Sequence, residues 1–169
     1  MLKASRFLAV LLLVLVSSPA LSQEPPTPSD MRSLALVTKL LTEKGFRFLN
    51  HARDFAEYRS SSPDYVRSMR IAQEARASSD LAAAASVMLV LYAYISHVPP
   101  RDGEEPERAS VRRLLQDWLT GYISQLQKSV SITNYEAGNT QSAMIANSAE
   151  RMKDDLRETI ELLKSIKLP

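Results

Sequence analysis

The sequence predicts an all-α fold, an antiparallel up-down four-helix bundle after a cleaved signal peptide. Three observations carry that prediction. Internal prolines (Pro63, Pro99, Pro100, Pro106) fall between long proline-free segments, and proline is excluded from helix interiors but fits a first turn. Those segments carry apolar residues at three- and four-residue spacing. Glycine occurs only 4 times in 169 residues, too rarely for the tight hairpins and Gly-rich turns of a β fold.

The first 22 residues stand apart from the bundle. Lys3 and Arg6 precede an apolar run over 7–16, and Ala20 and Ser22 place small residues before Gln23, the pattern of a secretory signal peptide. The expected location is periplasmic or secreted. No cysteine follows the run, so that position offers no thiol for a lipid anchor. Cleavage would remove two of the 21 Lys and Arg and leave 19 against 19 Asp and Glu, a formally neutral chain with no charge reason to bind nucleic acid. The absence of cysteine excludes disulfides, thiol catalysis, Cys-ligated zinc, iron–sulfur clusters and c-type haem. After the leader, 23–29 reads as a flexible Pro-rich tail (Pro25, Pro26, Pro28), and 30–169 as one domain.

The first helix is expected over about 30–59, capped by Ser29 or Asp30. Its stripe is Leu34, Val37, Leu41, Phe48 and Phe55, widened by Leu40, Ala52 and Ala56, with Glu43 and Arg47 as an i,i+4 pair. Gly45 interrupts it at about 1 kcal/mol relative to alanine. Ser62, Pro63 and Asp64 then supply a cap, an N1 proline and a first-turn acid for a second helix over 63–97. A third, over 106–135, places Val111, Leu114, Leu115, Trp118, Tyr122, Leu126 and Val130 on one side, with Trp118 and Tyr122 assigned to the core. Gly138 is expected as its left-handed C-terminal residue, and Asn139 or Thr140 as the start of a fourth helix over 140–167. There Ile145, Ala149, Met152, Leu156, Thr159, Leu163 and Ile166 are spaced 4, 3, 4, 3, 4, 3, a heptad suited to coiled-coil-like packing. Gly45 and Gly121, with the alanines of the second helix, provide small residues for close helix crossings.

Residues 81–98 carry no Asp, Glu, Lys or Arg over 18 positions, the lower limit for a membrane span. Four consecutive alanines, Ser86, Ser96 and His97 make the segment only moderately hydrophobic. It is assigned to a buried bundle helix, with a span as the alternative.

Chemistry-bearing patterns are few. His51 and His97 are the two histidines, and neither follows a glutamate by three residues as a di-iron E-x-x-H motif requires. G-x-S-x-G, S-x-x-K and H-E-x-x-H are absent. Met69, Met88, Met144 and Met152 read as core filling rather than haem ligands. The mixed charges around Asp154, Asp155, Glu158 and Glu161 read as a solvated helix face, and the segment Asp102, Gly103, Glu104, Glu105 as a linker without the EF-hand pattern. No catalytic, cofactor or metal residue is assigned.

Recognition remains. Tyr92, Tyr94 and His97 end the second helix, and Arg101, Arg108, Arg112 and Arg113 follow at the same end of the bundle. They form the expected partner surface, aromatic rings beside positive charge. The expected function is therefore non-enzymatic: contact with a protein partner or a second copy, with a small-ligand or cofactor-binding, sensor-like bundle as the alternative.

Overall fold

The computed structural model describes residues 28–58, 64–97 and 105–166. They form four helices: α1 (Pro28–Ala56), α2 (Asp64–His97), α3 (Glu105–Gly138) and α4 (Ala143–Lys164). Each packs on its chain neighbour, α4 also closes on α1, and α4 touches α2 across the diagonal. The arrangement is all-α. The predicted leader, the cap at Ser62–Pro63 and the linker at Asp102–Glu104 lie outside the described residues.

Helix starts follow local chemistry. Pro28 opens α1, so Ser29 and Asp30 fall inside the helix instead of capping it, and the predicted tail is shorter at its C-terminal end. Pro106 occupies the first turn of α3, where its missing N–H costs no helical bond. The α3–α4 link departs from expectation. Helix α3 runs through Gly138, which does not adopt a left-handed backbone, and α4 starts at Ala143 with Ser142 as N-cap, its Oγ accepting from Ile145 N. Tertiary anchoring accounts for the later start: Gln141 N donates to Asp64 Oδ1 at 3.2 Å, tying the link to the beginning of α2. At that same end Ser68 Oγ donates to the Phe55 carbonyl.

The main core combines Leu41, Phe48 and Phe55 of α1, Ile71, Ala75, Ala85 and Leu89 of α2, Leu119 and Leu126 of α3, and the heptad face of α4. All seven heptad positions are buried except half-buried Ile166. At the opposite end Met88, Tyr92 and Leu115 form a smaller cluster with Leu34, Val111 and Tyr122 against it. Arg108 Nη1 donates to the Ile95 carbonyl at 2.9 Å and joins the end of α2 to the start of α3.

The uncharged stretch of α2 begins beside a close approach to α1. Gly45 lies 3.7 Å, measured from where its Cβ would be, from the Ser79 carbonyl and 3.8 Å from Ala82 Cβ, so α1 and α2 approach across small residues. Ala82, Ala85, Ser86, Met88, Leu89 and Tyr92 are buried, whereas Ala84 is half-buried and Val87, Leu91 and Tyr94 are exposed. Helix α2 is long and apolar enough to cross a membrane, with a best-window mean hydropathy of 1.5, and 44% of that window is buried within the bundle.

Three other assignments change. Gly121 has no heavy atom within 4 Å of the place a methyl group would take, and is no crossing point. Gly121→Ala should therefore raise stability by about 0.5–1 kcal/mol through helix propensity alone, which urea titration would measure. Trp118 is 47% exposed and Leu114 48% exposed, outside the core to which their spacing assigns them, while Tyr122 is half-buried. Met144, in the first turn of α4, is exposed as well and fills no core.

Candidate functional site

Polar groups inside the bundle come first, because any chemistry would start from them. Between α2 and α3, Glu136 is only 2% exposed and accepts from Arg67 Nη1 at 3.2 Å and Arg70 Nη1 at 2.8 Å. The hydrogen bond to Glu136, then its charge, pushes the Arg70 guanidinium above its already high ordinary value. Ser129 Oγ, further back along α3, donates to Glu74 Oε2 at 2.7 Å. The Thr133 hydroxyl is buried without a partner among the described residues. A helix limit at 135, as the local pattern suggests, leaves Glu136 outside α3 and hides its role. Its signal is Arg67, Arg70 and Glu74, spaced 3 and 4 on one side of α2.

A second network joins α1 to α4. Asp155 accepts from Lys44 Nζ at 2.7 Å and Arg47 Nη1 at 3.1 Å, and its Oδ2 lies 3.0 Å from His51 Nε2. Lys44 also donates to Glu158. Burial pushes the Asp155 carboxyl up, but hydrogen bonds from Lys44 and His51, the Lys44 charge and the Arg47 bond together bring it below the usual aspartate value. The acidic group on α4 is thus not uniformly solvated. Asp155 turns inward, and Lys153, 4% exposed, donates to Asn134 Oδ1 at 2.9 Å and to Glu150. Arg157–Asp154 and Lys164–Glu161 are the solvated i,i+3 pairs. Arg47 reaches Asp155 in place of the expected Glu43, which lies 3.9 Å from Lys39.

Neither network has the layout of a hydrolase. The His51–Asp155 pair resembles two members of a relay, but no described hydroxyl is bonded to His51, and Asp155 is already shared with two cations. Among the described residues no group of three or more His, Asp and Glu is placed to hold a metal ion.

The predicted partner surface divides. Tyr92 is 3% exposed and belongs to the smaller core cluster, a correction to its assignment as a surface residue. It sits two residues from Tyr94, about 200° around the helix, so only one of the two can face outward. Tyr94 does, at 45% exposure. The His97 side chain and Arg101 lie outside what is described. Arg108 is half-buried on Ile95, Arg113 is exposed, and Arg112 is half-buried with its Nε enclosed and lacking a partner among the described residues.

The structure adds neighbours that residue spacing does not single out. Val87, Leu91 and Tyr94 are spaced 4 and 3 on the outer side of α2, and Leu114 and Trp118 are four apart on α3. All five are exposed. The Met88–Tyr92–Leu115 cluster and the Arg108–Ile95 bond hold these two stretches at the same level of the bundle. One end of the α2–α3 pair therefore displays large apolar and aromatic groups on two adjoining helices. The α3 spacing alone could not show this, because Leu114 and Trp118 flank the same stripe that buries Leu115, Leu119 and Leu126. Comparisons with protein-family models, with curated proteins and with solved structures find no match to this chain.

Proposed function

We propose that the protein is exported and non-enzymatic, and that it acts by protein contact through the surface built from Leu91, Tyr94, Leu114 and Trp118. The observation carrying this reading is the exposure of these side chains, 38%, 45%, 48% and 47% respectively, on two helices locked at one level. Scattered surface apolar groups are ordinary, and Phe46 and Leu49 on α1 are such a case, two residues on one helix. Four on adjoining helices, including a tryptophan and a tyrosine, have the composition of an interface centre. Export is supported by Lys3, Arg6, the apolar run over 7–16 and the small residues Ala20 and Ser22.

A photo-reactive amino acid placed at Trp118 in the source cells tests the surface. It should yield a discrete adduct with one other polypeptide or with a second copy, while the same group at exposed Arg151 on α4 should not. Equal, diffuse labelling from both positions would overturn the reading. The same material tests export. Its N-terminus should lie at or within a few residues of Gln23, and recovery of an intact Met1 in the cytoplasm would reject it.

A further inference from the structure

Helices α2 and α3 run antiparallel in one register: Arg70 meets Glu136 at 2.8 Å, Ser129 meets Glu74 at 2.7 Å, and Arg108 meets the Ile95 carbonyl at 2.9 Å. That register sets Gly121 of α3 level with Ala84 of α2, and Leu114 level with Leu91. Trp118 stands 18 residues, five helical turns, before Glu136, so it lies on the side of α3 that borders α2. Leu114, Trp118, Gly121 and Gln125, spaced 4, 3 and 4, follow that flank, and all four are exposed. The matching flank of α2 is Ala84, Met88, Leu91 and Ile95, also spaced 4, 3 and 4, with Met88 seated in the cluster that Leu115 shares. None of these eight residues is charged. The outer seam of the two helices is raised at Leu91, Leu114 and Trp118 and low at Ala84 and Gly121.

Gly121 is the member without a reason inside the chain. A glycine within a helix is less stable than alanine, and no heavy atom beyond its chain neighbours and its own helix backbone lies within 4 Å of where its Cβ would stand, the Trp118 ring included. The missing side chain gains a use when a group from outside the chain comes close to the helix.

Resting on the reading of this face as a protein-contact surface, we propose that its occupant is a second copy of the chain, related by a twofold axis with the two α3 helices antiparallel. Trp118 of each copy then fills the depression at Gly121 and Ala84 of the other. A twofold interface must be complementary to itself, and this seam meets that condition. The projecting ring and the vacant position are three residues apart on one stripe, so a single antiparallel pairing matches both of them twice. Glu107 lies seven residues before Leu114 and Lys128 seven after Gly121, on the same flank and at its two ends. Antiparallel pairing turns each acid toward the other copy's base, whereas parallel pairing sets like charges together. An uncharged centre with an aromatic anchor and charges at the rim is the anatomy of a specific interface.

Trp118 is the chain's only tryptophan, so its fluorescence reports on the seam directly. Analytical ultracentrifugation and emission spectra of the purified protein from about 0.1 to 100 µM should show a reversible monomer–dimer equilibrium, with emission moving to longer wavelength as the dimer dissociates. Gly121→Leu fills the depression with a better helix former. Its dimer should be at least about tenfold weaker, while its circular dichroism is unchanged and its thermal stability as a monomer is equal or higher, a combination that misfolding cannot imitate. Glu107→Lys should weaken the dimer about threefold, and adding Lys128→Glu should restore it; no restoration would overturn the antiparallel arrangement. A monomer at every concentration, or a Gly121→Leu dimer as tight as the wild type, would overturn the second copy as occupant. For a monomer, a Trp118 photo-adduct with a different polypeptide would leave the protein-contact reading standing, whereas no adduct, with cosedimentation on phosphatidylglycerol vesicles, would remove that reading too and assign the seam to a membrane surface.

Discussion

Ala85→Glu should cost more than about 4 kcal/mol and leave little folded protein at 25 °C. Ala85 is fully buried in the main core, where α2 packs inside the bundle. The longer side chain cannot be accommodated without displacing neighbours, which typically costs about 1–3 kcal/mol. An enclosed carboxylate with no cation beside it adds several kcal/mol more, or is forced to protonate. Against a total stability of about 5–15 kcal/mol for a domain, the sum is disabling. Ala84, one residue away, is half-buried, so a glutamate there can extend into water. Ala84→Glu should cost about 1 kcal/mol or less. Urea unfolding of both variants in the absence of detergent checks the pair. Similar penalties at the two positions would mean that this stretch of α2 does not have one enclosed side, and would favour the membrane-spanning alternative.

The second large effect concerns the clasp between α1 and α4. Asp155→Ala should cost about 2 kcal/mol, because it removes the charge-assisted bonds from Lys44, Arg47 and His51 together, although Lys44, whose side chain is 11% exposed, keeps Glu158 as a carboxylate partner. The pH dependence follows from the direction of the Asp155 shift. Its carboxyl titrates lower in the folded protein than in the unfolded chain, so the contribution is complete above the ordinary aspartate value of about 3.9 and is lost as pH falls through the lower, folded value. Calorimetry between pH 7 and pH 2 should show the wild-type transition dropping below about pH 4, with a shallower drop in Asp155→Asn. Parallel profiles for the two proteins would show that Asp155 does not carry this acid sensitivity. Surface pairs such as Arg157–Asp154 should change stability by less than about 1 kcal/mol when broken.

Which features were legible beforehand depended on whether one helix was enough to specify them. The α4 heptad could be read directly because its buried face is a single stripe, and a stripe of apolar residues at 3.5-residue spacing has one stable outcome, enclosure. Phe48, Leu41 and Phe55 were similarly readable on α1. On α3 the apolar residues span more than the enclosed arc. The local pattern could not decide between Leu115 and its neighbours Leu114 and Trp118, because that choice depends on where α2 and α4 approach.

The amino-acid order by itself determined the number of helices, their approximate limits, the poverty of catalytic motifs and the enclosed face of α4, since proline placement and side-chain period act within one segment. Tertiary structure alone decided that Glu136, Asp155 and Lys153 turn inward and that Tyr92 is enclosed while Tyr94 is exposed. Those outcomes rest on partners 19 to 111 positions away in the chain or on where a neighbouring helix packs. The buried charges of Glu136 and Asp155 are bearable because a distant helix supplies their counterions, and which of Tyr92 and Tyr94 is enclosed depends on where α3 approaches. Neither condition can be written in a local pattern of residues.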